Sequence, residues 1–91
     1  MSFEKRLEKS IAKKEKAIEK EKDRIVTIKE KLDSGKITRA KYNIEKKKVE
    51  AKIREMSSRM RVVQGLLAKE KRHQIELEEE KKKKEKDEKK K

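Results

Sequence analysis

The segment Leu32-Asp33-Ser34-Gly35-Lys36-Ile37-Thr38 carries a helix stop followed at once by a helix start, and only here is the long helical pattern of the chain interrupted in this way. Glycine takes the left-handed conformation that closes a helix C-terminus without a Cβ penalty, and Asp33 and Ser34 before Gly35 are poor helix-interior residues. Thr38 is a good N-cap, because its hydroxyl can accept from a backbone N–H two or three residues on. Ile37 and Tyr42 stand at the N′ and N4 spacing of a hydrophobic staple. A chain punctuated like this folds back on itself. The expectation is helix 1 over about 3–33, a turn at 34–37 and helix 2 over about 38–77.

The apolar residues on both sides of the turn follow one seven-residue repeat, abcdefg. In helix 1, Ile11, Ile18, Ile25 and Leu32 fall at a, with Leu7 and Ile28 at d. In helix 2, Tyr42, Val49, Met56 and Val63 fall at d, with Ile53, Met60 and Leu67 at a. Folding the two seams together pairs residues whose numbers sum to 74: Leu32 with Tyr42, Ile25 with Val49, Ile18 with Met56, Ile11 with Val63, and Leu7 with Leu67. Five apolar layers from one fold point define an antiparallel hairpin. Lys14 and Glu21 occupy the remaining d positions of helix 1, level with Met60 and Ile53. Their charged ends are expected to reach out to the edge of the seam.

The residues Leu32, Gly35, Ile37, Thr38, Tyr42, Lys46 and Val49 resemble the short helical hairpin of SHOCT-type domains. That resemblance spans residues 32–49 and implies a module linked to self-association. Where the family usually completes a capping box with an acidic residue three places after the threonine, this chain has Lys41.

Composition narrows the alternatives. With 56% charged residues, 2% aromatic, no proline and no cysteine, the chain has too little apolar surface for an ordinary globular core. The regular apolar period selects a coiled-coil-like assembly over disorder. The fold class expected is therefore all-α: an antiparallel helical hairpin with a long second helix and a charged C-terminal extension. No disulfide or thiolate chemistry is available without cysteine. The N-terminal residues are charged from Glu4 onward, and no apolar run approaches the length of a signal or membrane-spanning segment, so a cytoplasmic protein is expected. Heavy use of Lys and Glu, with one Asn and two Gln, is similar to the composition of hyperthermophile proteins.

From Glu78 to Lys91 every residue is charged. This stretch reads as a low-complexity tail, with its glutamates ahead of its lysines in the order that favours i,i+4 pairs should it be helical. It is nearly neutral, despite its appearance. Lys and Arg outnumber Asp and Glu by 11 to 8 over residues 1–35, by 13 to 4 over 36–72, and by 8 to 7 over 73–91. Most of the excess charge of +13 therefore lies on helix 2.

Chemistry is sparse. A single histidine, His73, falls on a polar stretch, and no glycine-rich phosphate loop or metal-ligand spacing occurs. We expect no enzyme, no catalytic residue, no metal and no cofactor. The outward face of helix 2 is the candidate binding surface. Lys47, Arg54 and Arg61 recur every seventh residue, flanked by Lys41 and Lys48 and by Lys52 and Arg59. Small residues, Ala51, Ser58 and Gly65, run between the first two rows, with the Ser58 and Ser57 hydroxyls available as donors. Cations edging a row of small side chains permit close approach of a phosphate backbone; a purely solvated face would have the same pattern. Few side chains could read bases, namely Asn43, Gln64 and Gln74, and both aromatics lie at or near the seam. Duplex DNA or structured RNA would be bound with little sequence preference, in DNA organisation or in a ribonucleoprotein such as the ribosome. An anionic membrane fits less well, since the apolar stripe of helix 2 is covered by helix 1.

Phe3, Val62 and Leu66 flank the seam at the open end of the hairpin and leave more apolar surface than two helices cover. They are the expected contact for a second copy, giving a homo-oligomer, or for a larger protein partner. The alternative function is accordingly a structural coiled-coil adaptor or oligomerisation module that binds no nucleic acid.

Overall fold

The computed structural model describes residues 2–89, with side chains as far as residue 85, and contains two α-helices: α1, Phe3–Asp33, and α2, Arg39–Lys89. Among the described residues there is no strand. At 1.5 Å per residue the helices are about 46 and 76 Å long. The molecule measures 82 × 18 × 17 Å, two helices wide and one long helix in length.

The turn forms as its residues dictate. Gly35 has φ of 76°, and its N–H donates to the Leu32 carbonyl at 3.0 Å while Lys36 N–H donates to the Lys31 carbonyl at 2.8 Å. This pair of bonds is a Schellman motif, which satisfies carbonyls that the end of α1 would otherwise leave open. Lys41 N–H donates to Thr38 Oγ1 at 3.2 Å, so Thr38 caps α2. Ser2 does the same for α1, accepting from Lys5 N–H at 3.2 Å.

Burial follows the heptad register. Leu7 and Ile18 are the most enclosed apolar residues, at 8% and 7% exposure. Every other a and d residue named above is half-buried except Glu21, which is buried. Along α2 the last half-buried residue is Glu70 and along α1 the first is Glu4, and these two numbers again sum to 74. A bridge of 4.0 Å between Lys71 Nζ and Glu8 Oε1 joins the helices at the open end. Near the turn, Lys46 Nζ lies 5.8 Å from the centroid of the Tyr42 ring and 3.8 Å from Glu50 Oε1, so a lysine at an a position is held over its own helix.

Two expectations need correction. Glu21 does not reach the edge: it is 8% exposed, its Oε1 lies 3.7 Å from Arg24 Nη1, and its Oε2 is buried without a hydrogen-bond partner. Two methylenes are too few to carry a carboxylate from a d position to water. Lys14 has the longer stem; it is half-buried, and its Nζ donates to Ser10 Oγ at 2.8 Å. The second difference is that α2 does not stop near residue 77. It continues through residues 78–89, and Lys90 and Lys91 of the expected tail lie outside the described residues. Glu78, Glu79 and Glu80 precede Lys82, Lys83 and Lys84 by four residues, the orientation that best supports a solvent-exposed helix.

Candidate nucleic-acid interface

Successive residues of an α-helix are rotated by about 100°, so the heptad positions run around the cylinder in the order a, e, b, f, c, g, d. With a and d of α2 facing α1, the far side carries b, f and c. The eight expected contact residues all lie there or just beside it, and all eight are exposed. They divide into two sides. Lys47, Arg54 and Arg61 at b and Ser58 at f make one. Lys41 and Lys48 at c, with Lys52 and Arg59 at g, make the other.

The two sides differ in electrostatics. On the c/g side acidic residues intervene, Glu45 at g and Glu55 at c, and Arg59 Nη2 is bound to Glu55 Oε1 at 2.7 Å. On the b side, Lys47, Arg54 and Arg61 form no ion pair among the described residues, and they repeat at about 10.5 Å along the axis. Ala51, Ser58 and Gly65 beside them are exposed. A Cβ added at Gly65 would meet nothing within 4 Å, so no packing within the chain demands a glycine there. Ser57, at e, is half-buried.

A groove of about 490 Å³ runs along the c/g side between the helices, near the turn. Its floor includes Ile28 and Val49, and its rim carries Lys20, Arg24 and Lys31 from α1 and Lys48 and Lys52 from α2. Asp23 and Glu45 are its two acidic members.

The apolar patch is exposed as expected: Phe3 is 54% accessible, Val62 65% and Leu66 44%. In register terms Phe3 and Leu66 are both g and Val62 is c, so all three lie on the same side as the groove. Sequence reasoning missed two other exposed apolar residues, Val26 on α1 and Ile44 on α2. Ile44 is seven residues before Ala51, so extending the row of small residues by one repeat would have found it. His73, Ile75 and Leu77 are exposed on α2 beyond the open end. Among the described residues no cluster of three or more His, Cys, Asp or Glu side chains could hold a metal ion, and no helix is long and apolar enough to cross a membrane.

Comparison with protein-family models, with curated proteins and with solved structures gave no match.

Proposed function

We propose that the chain binds the phosphate backbone of nucleic acid through the b side of α2, without strong sequence preference, in DNA organisation or ribonucleoprotein association. The observation that carries this reading is the row Lys47, Arg54 and Arg61: three exposed cations, unpaired among the described residues, repeating every seventh residue on one side of α2 beside small side chains. Cations held in place by a folded helix displace condensed counterions from a polyanion, so each engaged residue steepens the salt dependence of binding by about 0.9 on duplex DNA. The exposed Ser58 hydroxyl is a further donor to phosphate oxygen. Fluorescence anisotropy across a salt series tests the assignment. Replacing Lys47, Arg54 and Arg61 together by Gln reduces the slope by about 2–3 and weakens binding on all sequences alike. Replacing Lys81, Lys82 and Lys84 by Gln leaves the slope within about 1 of its original value. The reverse ranking would move the contact to the end of α2.

The exposure of Val62 and Leu66 favours a second reading, a protein-contact module whose charge is solubilising. Absorbance separates the two: nucleic acid that co-purifies and is removed by high salt supports the first, and a preparation free of nucleic acid before any salt wash supports the second.

A further inference from the structure

Beyond Lys71 the helix α2 has no partner among the described residues of the chain. Residues 72–89 project about 27 Å past the open end of the hairpin and are exposed throughout their described side chains. Ile75 and Leu77 on this stretch are exposed. The c/g side of α2 indicates a surface that this stretch fits. From residue 45 to residue 83 that side carries, in order, Glu45, Lys48, Lys52, Glu55, Arg59, Val62, Leu66, Lys69, His73, Glu76, Glu80 and Lys83. Its only apolar residues, Val62 and Leu66, straddle residue 64.

We infer that two copies of this chain associate antiparallel through the c/g sides of their α2 helices, about a two-fold axis at residue 64, so that the projecting segment of each copy lies along the basic groove of the other. An isologous contact of this kind opposes residues whose numbers sum to 128. Val62 then meets Leu66 of the second copy, and by symmetry Leu66 meets its Val62. Outward from the axis, Lys52 faces Glu76, Lys48 faces Glu80 and Glu45 faces Lys83. One opposition is between like charges, Arg59 with Lys69, and Arg59 is already neutralised by Glu55 at 2.7 Å. Residues 72–89 come level with residues 39–56 of the second copy, the span that contains the groove with its five cations, Lys20, Arg24, Lys31, Lys48 and Lys52. The acidic segment Glu76–Glu80 is the complementary surface.

The charges also favour this register over its neighbours, because a slide of one heptad brings in repulsions at charged positions. Sliding one helix by a heptad in one direction opposes Glu45 with Glu76 and Lys52 with Lys69; sliding it in the other opposes Glu55 with Glu80 and Lys52 with Lys83. Like charges brought together at an interface act against the wrong alignment. The contact uses a face some 110° around α2 from the seam, which gives a four-helix order α1, α2, α2, α1 with both long helices at the centre. It leaves Lys47, Arg54 and Arg61 outside the interface, so it stands apart from the nucleic-acid reading.

Charge reversal tests the arrangement with the full chain. One variant carries Lys48→Glu and Lys52→Glu, the other Glu76→Lys and Glu80→Lys; all four sites are exposed in the single chain, and circular dichroism checks that helicity is kept. Analytical ultracentrifugation of the original chain is expected to give a dimer. Each variant alone places like charges at both symmetry-related contacts, and its dimer is expected to weaken by about tenfold or more. Mixing the two variants restores every attraction, and a heterodimer at least as stable as the original dimer is the expected result. The Lys47, Arg54 and Arg61 triple replacement is expected to stay dimeric, whatever it does to nucleic-acid binding. A monomeric original chain at millimolar concentration, variants that dimerise undiminished, or a mixture that stays monomeric would each overturn the proposal.

Discussion

Residues 39–71 and residues 72–89 form one uninterrupted helix, yet they are helical for different reasons. The first stretch presents an apolar residue to α1 at seven of its ten a and d positions and is half-buried along that line from Tyr42 to Glu70. The second has no such line and is exposed at every described side chain. Nucleating a helix is the costly step, and extending one needs only residues that do not oppose it. Packing against α1 nucleates the first stretch; the second propagates from it on Glu, Lys and Arg, with glutamates four residues ahead of lysines and no proline or glycine. Tertiary contact is therefore needed to start this helix and not to continue it.

A charge placed in the seam is the strongest way to break that comparison. Ile18→Asp puts an unpaired carboxylate at one of the two most enclosed apolar sites, and a loss of about 3–5 kcal/mol with most of the helical dichroism is expected. Ile75→Asp, on the projecting stretch, is expected to change stability by less than about 0.5 kcal/mol in urea titrations. Equal effects at the two sites would mean that the halves are not held differently. Glu21→Leu sharpens the contrast from the other side. It removes a buried carboxylate whose Oε2 has no partner and fills the layer shared with Ile53, so stability should rise by about 1–3 kcal/mol, read as a higher melting midpoint. Thr38→Ala removes the cap at which α2 begins, and about 1 kcal/mol is the loss expected from the same titration. The smallest effect belongs to the boundary between the halves. Lys71 and Glu8 are both about half exposed and 4.0 Å apart, so Glu8→Gln should cost under about 0.5 kcal/mol; a larger cost would make this bridge a real clasp.

The seam and the turn were legible because each rests on local rules with few competitors. A seven-residue apolar period has one helical solution, and Gly35 followed by Thr38 has one punctuation. The end of α2 was less legible, since a run such as Glu78 to Lys84 is compatible with either a helix or a solvated tail. Glu21 was misread because sequence gives a side chain's heptad position and not the depth of the layer around it. Ser2 escaped notice as a cap since no apolar repeat begins until Leu7. The basic face was legible as a pattern, but only the structure separates Arg59, bound to Glu55, from Lys47, Arg54 and Arg61.

The antiparallel course of the seam also has a mechanical consequence. Phe3 and Lys71 lie at the same end of the hairpin, and the turn at Gly35 closes the other. Tension applied between the start of α1 and the projecting part of α2 therefore loads the Leu7 and Leu67 layer first, and each layer must part before the next feels the force. The helices peel apart in sequence instead of sliding past one another together, so the resisting force at any moment comes from one apolar layer, on the order of 2–4 kcal/mol of burial. Along its own length the rod is stiff; across its open end it yields to a small pull, and on release it closes again from the turn.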